Sequence, residues 1–425
     1  MESAGIIIFV GLIVFVSHLF TGIFERKRIP DVLLLMIIGL ILGPILGVIS
    51  PDDFGIAGPM FTTITLVIIL FEGGLALRID TLKNAIRGTT ALTIANFFVT
   101  MTIVGLIGWL IFGLDPVAGF MLGAILGGTS SAVVIPMVQQ LRMNHDSKTI
   151  LVLESAISDV LCIIFALALL ETFHVAEVKI GFIVGKIISS FTLAALMGWL
   201  GALVWSVLLN RVRTIGNTIF TTPAFVFIIF GVAEMLGYSG AISALAFGIT
   251  LANIEFFNVS ILKKYVSSKP ITLNETEKVF FAEIVFLLKT FFFIYIGLSI
   301  QLQNLWALVL GLLLTIVIFS FRVPVVKYSI RKPFSTHDLT MMSILVPKGL
   351  AAAVLASLPF QQGIEGGEFI RDITYAVILI SIVFSSLLIP IVEKSPLVSG
   401  IYGLMLRKGF FFWRKKKSKE IEAEQ

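Results

Sequence analysis

The chain has 425 residues, of which 57% are hydrophobic and only 13% are charged. Soluble domains carry about 25% charged residues, so the composition excludes an ordinary soluble protein and indicates a polytopic membrane protein. The net charge of +5 does not indicate a nucleic-acid partner, because the basic residues lie in loops between apolar segments. The single cysteine, Cys162, cannot form an internal disulfide and is expected to be a small core residue.

Thirteen apolar segments of the chain are candidate membrane spans. An apolar helix needs about 20 residues to cross the hydrocarbon core of a bilayer. The segments run over residues 5–24, 31–49, 60–77, 89–112, 116–141, 149–171, 180–208, 216–236, 239–255, 280–300, 303–326, 337–358 and 372–393. The first segment is expected to remain as a spanning helix rather than to be removed as a signal peptide.

The basic residues alternate between the loops in a pattern that orients the chain. Of the 31 Lys and Arg residues, 25 fall in one alternating set of loops and in the C-terminal tail, whereas the opposite set holds Lys179 and Arg371 only. Cytoplasmic loops carry an excess of Lys and Arg. The sequence therefore predicts an odd number of spans, with the N-terminus outside the cell and the C-terminus in the cytoplasm.

The sixth predicted span contains two carboxylates, Glu154 and Asp159, at membrane depth. Ionisable groups are costly inside a bilayer and mark candidate functional sites. At about 100° per residue, Asp159 shares a helix face with Ser155, and Glu154 points about 140° away from Asp159. The two acids should therefore have different partners. We interpret Asp159 as the working carboxylate and Glu154 as a structural one.

Two predicted spans are interrupted by residues that break helices. The fifth contains the sequence Gly-Gly-Thr-Ser-Ser at 127–131, and the twelfth contains Val-Pro-Lys-Gly at 346–349. Interrupted spans at matching positions of two inverted repeats indicate a transporter's substrate site. The sequence thus predicts a first repeat at 1–172, a linking helix at 173–215, a second repeat at 216–393 and a short basic cytoplasmic tail at 394–425.

Several motifs resemble those of the monovalent cation/proton antiporter superfamily, and they are most similar to its NhaP-like branch. Residues 70–75 read Leu-Phe-Glu-Gly-Gly-Leu, residues 233–240 read Ala-Glu-Met-Leu-Gly-Tyr-Ser-Gly, and three phenylalanines at 291–293 precede Gly297. The resemblance implies an all-α polytopic membrane protein of about 13 transmembrane helices. It implies two inverted six-helix repeats in which helices 5 and 12 are discontinuous and cross beside an acid of helix 6.

The resemblance also implies a role for each residue at that crossing. Asp159 resembles the carboxylate that binds the transported monovalent cation and the proton in turn. Ser155 resembles a hydroxyl ligand one turn away, and Thr129 resembles the residue whose freed backbone carbonyl faces the cation. Glu72 is similar to an acid that lines the site through water. Ion coordination is thus expected from Asp159, Ser155 and Thr129.

Three buried charges of the family also have counterparts here. Glu154 and Arg322 resemble an ion pair between spans six and eleven, and Lys348 resembles a basic residue that neutralises carbonyl ends at the twelfth-span break.

The chain departs from the branch at two positions. Ser130 stands where the branch usually has a ligand Asp, and Ser158 stands where it usually has Asn beside the working acid. Both serines are kept as candidate ion- or proton-binding residues. Electrogenic relatives carry two consecutive acids in span six, so the single Asp159 predicts electroneutral exchange.

The function expected from these features is antiport of Na⁺ or K⁺ against H⁺ by alternating access, with no enzymatic activity and no cofactor. The expected setting is the inner or plasma membrane, with a homodimer in the lipid bilayer. A sodium-coupled symporter of an organic solute is the alternative. It would need a larger polar cavity, and the predicted spans contain few polar residues for one. An intramembrane hydrolase is disfavoured, because Ser239 lacks the second glycine of a nucleophile elbow. A channel is disfavoured as well, since no charged ring is evident.

Overall fold

A computed structural model describes residues 11–12, 14–19, 30–54, 57–76, 87–173, 180–212, 220–255, 275–302, 304–330 and 334–406. Over these residues the regular structure is helical, without β-strands. The predicted first span lies mostly outside the described residues, as do the charged residues of the tail beyond 406.

The helices of the first half follow the predicted spans two to seven. Their bounds are α1 Asp31–Leu40, α2 Ala57–Ala76, α3 Arg87–Leu110, α4 Pro116–Ile125, α5 Ser131–Gln140, α6 His145–Thr172 and α7 Ile180–Val212. A π-helical segment, Ile41–Ile45, extends α1 and contains Pro44, whose missing N–H disrupts regular α-helical bonding. A short 3₁₀ helix occupies Pro51–Phe54.

The helices of the second half follow the predicted spans eight to thirteen. Their bounds are α8 Thr221–Met235, α9 Gly240–Ala252, α10 Glu275–Ser299, α11 Leu305–Ser329, α12 Thr336–Ile344, α13 Leu350–Gln361, α14 Gly367–Lys394 and α15 Pro396–Leu406. The interrupted fifth span thus comprises α4 and α5, and the interrupted twelfth span comprises α12 and α13. Both interruptions fall where the sequence predicted them.

Six helices in the described ranges are long and apolar enough to cross a membrane by length and composition. The qualifying segments are Thr89–Leu110, His145–Thr172, Thr192–Leu209, Val279–Ser299, Leu305–Ser329 and Gly367–Lys394. Shorter apolar helices are Asp31–Ile45, Met60–Leu75, Thr221–Met235 and Gly240–Ala252, as well as the half-helices Pro116–Ile125 and Leu350–Gln361. Large apolar side chains such as Trp306, Phe98 and Leu200 are exposed on the outside of the array, where lipid can cover them.

Helix α6 lies at the centre of the group that forms the candidate site. It packs against α3, α4, α5 and α13, while α11 packs against α14 and α3. A second set of close pairs is formed by α1 with α10 and by α2 with α9.

The α2–α9 crossing depends on two glycines. A Cβ on Gly74 would lie 2.5 Å from the Leu245 carbonyl oxygen, and one on Gly248 would lie 2.3 Å from the Phe71 carbonyl oxygen. Small residues at helix crossings allow this close backbone approach in membranes. The second glycine of the Phe-Glu-Gly-Gly motif therefore has a packing role.

The predicted C-terminal tail begins with a helix that the sequence analysis did not predict. Helix α15 packs against α11, α12 and α14, and the Lys327 ammonium donates a 2.8 Å hydrogen bond to the Met405 carbonyl oxygen. The segment from 396 to 406 is thus part of the helical array.

Candidate ion-binding site

The two interrupted spans meet at their breaks. Residues 126–130 separate α4 from α5, and residues 345–349 separate α12 from α13. The Ser130 backbone N–H donates to the Pro347 carbonyl oxygen at 2.8 Å. A Cβ on Gly349 would lie 2.0 Å from Ser130 Oγ and 2.5 Å from Ser130 Cβ. Glycine is therefore required at 349, because any side chain would separate the two breaks.

Lys348 occupies the crossing itself. Its side chain is 1% exposed, and its ammonium donates a 2.7 Å hydrogen bond to the Gly128 carbonyl oxygen. Its backbone N–H donates to Ser381 Oγ at 2.9 Å. Broken helices leave carbonyl groups without intrahelical partners, and a cation there is favourable. The ammonium thus satisfies one freed carbonyl of the first break.

The Asp159 carboxylate faces the beginning of the half-helix α5. Its Oδ2 accepts hydrogen bonds from the Ser131 hydroxyl at 2.8 Å and from the Ser131 backbone N–H at 3.4 Å. Ser131 is the first residue of α5, so this N–H has no partner within the helix. Helix N-termini stabilise negative charge. The Asp159 side chain is only partly buried, which leaves it accessible to an ion.

Three further site candidates form a chain of hydrogen bonds beside Asp159. The Thr129 backbone N–H donates to Ser158 Oγ at 3.0 Å, and that hydroxyl donates to the Ser155 carbonyl oxygen at 3.1 Å. The Ser155 hydroxyl donates to the Val152 carbonyl oxygen at 2.9 Å. Ser155 and Ser158 are both 0% exposed. This arrangement ties the first break to α6 through neutral groups.

The Thr129 side chain is buried beside these residues. It is 1% exposed, and its hydroxyl has no hydrogen-bond partner within the described protein. Most buried polar side-chain atoms are hydrogen-bonded, so this hydroxyl is an exception at the break.

Glu154 and Arg322 form a buried bidentate ion pair. The two guanidinium nitrogens lie 2.5 and 2.6 Å from the two carboxylate oxygens, and both side chains are 0% exposed. Arg322 Nε also donates to the Met342 carbonyl oxygen at 3.0 Å. The pair therefore joins α6, α11 and α12 on the side of α6 that points away from Asp159.

Glu72 lies in a different electrostatic environment from Asp159. Its side chain is exposed on α2, and its charged neighbour is Lys289 on α10. Lys289 in turn pairs with Asp31 at the start of α1, with 3.6 Å between ammonium and carboxylate. The sequence analysis assigned no partner to Lys289, because Asp31 is distant in sequence and lies at the boundary of a loop.

Glu234, near the end of α8, has a local structural role. Its carboxylate accepts a 2.7 Å hydrogen bond from the Gly240 backbone N–H. Gly240 is the first residue of α9. Glu234 thus satisfies a free donor at that helix end.

Ser131 contacts Asp159 directly but was not among the predicted site residues. The available signal was its position directly after the break, where a helix N-terminus exposes free donors. The chemistry assembled here is one carboxylate that accepts from the Ser131 hydroxyl and N–H, close to two breaks whose carbonyls have no intrahelical partner. Freed carbonyls at broken helices are typical ligands of Na⁺ and H⁺ sites in transporters.

Comparisons with known proteins agree with this geometry. The family model described as "Sodium/hydrogen exchanger, transmembrane" matches residues 11–397. The chain is 28% identical over 327 residues to Na(+)/H(+) antiporter 1 of Methanocaldococcus jannaschii, which covers 72% of this chain and 71% of that protein. It is 24% identical over 382 residues to K(+)/H(+) antiporter NhaP2 of Shewanella sp. strain ANA-3. That match covers 87% of this chain, and the chain spans 63% of the length of that relative.

A solved structure has the same fold. The sodium proton antiporter MjNhaP1 from Methanocaldococcus jannaschii at pH 8 superposes with a TM-score of 0.72 at 23% sequence identity. The match covers 91% of this chain and 100% of that one. Together with the all-helical structure, it confirms the predicted fold class.

Proposed function

The chain belongs to the sodium/hydrogen exchanger family, and on this premise we propose that it exchanges Na⁺ or K⁺ for H⁺ across a membrane. Its relatives include both sodium/proton and potassium/proton antiporters, so the proposal covers both cations. The observation that carries it is the Asp159 carboxylate, partly accessible and held at the N-terminus of a half-helix beside two crossing breaks.

The proposed mechanism is competition for one carboxylate. A proton and a monovalent cation both bind Asp159, and each neutralises the carboxylate. The unoccupied carboxylate is an anion, and moving this charged group through an apolar layer is costly. The site therefore crosses only when loaded, which couples cation movement to opposite proton movement. Alternating access then requires rigid-body motion of one helix group against the other.

We assign the other site residues by their contacts. Ser155 and the Thr129 backbone are proposed cation ligands. Ser130 holds the first break against the second break, and Ser158 holds the first break against α6. Glu72 is proposed to line the approach to the site, and its position as an exposed residue on α2 supports this role.

The remaining buried charges are proposed to stay fixed through the cycle. Glu154 is held by two hydrogen bonds from Arg322, and Lys348 is held at the Gly128 carbonyl. Asp159 is then the one carboxylate that gains and loses a proton. One proton exchanges for one monovalent cation, and transport is electroneutral.

The chain is a multi-pass membrane protein. We propose that it lies in the inner or plasma membrane with its N-terminus outside and its C-terminus in the cytoplasm, which the placement of 25 of 31 basic residues supports. The two-repeat organisation with boundaries after 172, 215 and 393 and the homodimeric state are further proposals, which the family resemblance supports.

The test is cation-driven proton movement in proteoliposomes containing the purified protein and a pH-sensitive dye. Addition of Na⁺ or K⁺ should release protons in the wild type, and Asp159→Asn should abolish the signal because Asn cannot exchange a proton. Asp115→Asn is the matched control, since Asp115 is an exposed cap of α4 that accepts from the Val117 N–H, and Asn can cap equally. Exchange by Asp159→Asn at the wild-type rate would show that another group carries the proton.

The same vesicles test the stoichiometry. With Na⁺ as substrate and the membrane potential clamped by K⁺ and valinomycin, the rate should not change with voltage at fixed ion gradients. A rate that follows voltage would require a second titrating group, with Glu72 as the first candidate.

A further inference from the structure

We propose that Ser131 is a positioning residue for Asp159, and that its hydroxyl sets the relative affinity of this carboxylate for protons and for the transported cation. The inference rests on the proposed exchange function and deepens it. It concerns a residue at the start of α5 that donates two hydrogen bonds to one carboxylate oxygen.

The geometry makes the Ser131 hydroxyl a donor to the ionised carboxylate. Its Oγ lies 2.8 Å from Asp159 Oδ2, a normal distance for an O–H···O hydrogen bond. A donor that contacts the charged form of a carboxylate favours that form over the protonated one. The hydroxyl therefore opposes proton binding and keeps Asp159 available to a cation.

The same hydroxyl can accommodate the bound cation. A serine hydroxyl has one donor hydrogen and two acceptor lone pairs. When a cation approaches Oδ2, rotation about the Ser131 Cα–Cβ or Cβ–Oγ bond turns a lone pair toward it. The backbone N–H at 3.4 Å remains in place, because it belongs to the first turn of α5. One side chain thus supports the empty and the cation-loaded states.

The other serines near Asp159 are committed elsewhere. Ser158 Oγ accepts from the Thr129 N–H and donates to the Ser155 carbonyl, whereas the Ser155 hydroxyl donates to Val152. Ser130 Oγ lies against Gly349. In the described part of the chain, the side-chain hydrogen bond to Asp159 comes from Ser131.

Replacing Ser131 leaves the charged groups around Asp159 unchanged. The titratable groups that interact with Asp159 are Lys348, from the break between α12 and α13, and Cys162 on α6. The Lys348 ammonium is held by the Gly128 carbonyl. A Ser131 variant therefore alters one hydrogen bond and leaves the number of charges unchanged.

The test measures the pH profile and the cation dependence of exchange in proteoliposomes for Ser131→Ala, Ser131→Thr and Ser131→Cys. Ser131→Ala should move the acid limb of the profile to higher pH by about one unit, because protons then compete about tenfold better after loss of a hydrogen bond to a charged group. The apparent KM for Na⁺ or K⁺ at acidic pH should rise about tenfold, while the maximal rate at alkaline pH stays within about twofold.

The two other variants and a control separate positioning from folding. Ser131→Thr keeps the hydroxyl and should retain the wild-type profile. Ser131→Cys offers only a weak donor and should shift in the same direction as Ala. Ser357→Ala is the matched control, because Ser357 is a buried serine on α13 that bonds the Val354 carbonyl within its own helix. It should leave the acid limb unchanged.

Three results would contradict this proposal. If folded Ser131→Ala keeps the wild-type acid limb of the pH profile, the hydroxyl does not bias the carboxylate toward cations. If the Ala variant does not fold, an unshifted acid limb in Ser131→Cys shows the same. A shift in Ser131→Thr as large as in Ala would assign the effect to packing. Wild-type vesicles without cation-driven proton movement would overturn the proposed function and this inference with it.

Discussion

Glu154→Gln tests the buried ion pair most directly. The change preserves side-chain shape but removes the charge opposite Arg322, whose side chain is 0% exposed. Arg322 would keep its hydrogen bond to the Met342 carbonyl, but of the two carboxylate oxygens at 2.5 and 2.6 Å one would become an NH₂ donor and the other a neutral amide oxygen. Removing one partner of a buried pair costs roughly 3–5 kcal/mol, because the remaining charge stays buried without compensation.

The assay is unfolding of the purified protein in detergent, followed by tryptophan fluorescence. The matched control is Glu368→Gln, which breaks the pair with Arg371 at 3.2 Å, where the Glu368 side chain is 63% exposed. Exposed pairs contribute about 0.2–1 kcal/mol, so the control should unfold close to the wild type. Glu154→Gln should unfold at much lower temperature or denaturant concentration.

A double variant separates pairing from packing. Glu154→Met with Arg322→Met replaces both charges by apolar groups, a change that is often neutral or stabilising by about 1–4 kcal/mol. It should therefore be more stable than Glu154→Gln alone. A Glu154→Gln protein that is as stable as the wild type and yet does not transport would refute the structural assignment and make Glu154 a transport residue.

Two further predictions concern the breaks. Thr129→Val should raise the free energy of unfolding by about 1 kcal/mol or more, because it removes a buried hydroxyl that has no partner in the described protein. The KM for the cation should not change, and a higher KM in transport assays would make the hydroxyl a ligand. Gly349→Ala should cost about 1–3 kcal/mol by overpacking, since its Cβ meets Ser130 Oγ and Cβ at 2.0 and 2.5 Å. Adding Ser130→Gly should restore stability in thermal unfolding, and no recovery would place the strain elsewhere.

Sequence patterns were sufficient for most of the helices and for the position of the two breaks. Apolar runs of near-bilayer length have few alternatives to a spanning helix, and Gly127-Gly128 and Pro347 mark the two breaks by their effects on helix geometry. Helix α15 was missed because its apolar segment, Pro396–Leu406, has 11 residues and is too short to be recognised as a span.

The pairing of side chains was less accessible from the sequence. Three consecutive polar residues, Thr129-Ser130-Ser131, look alike in sequence, and the residue that faces Asp159 is determined by where α5 begins and by its rotation after the break. The Asp31–Lys289 pair depends on the packing of α1 against α10, which no local pattern specifies. Tertiary arrangement decides both cases.

The separation of Glu154 and Arg322 by 168 positions has a consequence for biosynthesis. Chains are synthesised at about 5–20 residues per second, so roughly 8–34 s pass between the two residues. Throughout that interval the sixth helix is already made and its acid has no arginine. Lys348 arrives 220 positions after the carbonyl that it binds. The half-made protein therefore carries the Glu154 carboxylate in an apolar helix before Arg322 exists, and a chain that stops short of Arg322 leaves an unpaired intramembrane acid.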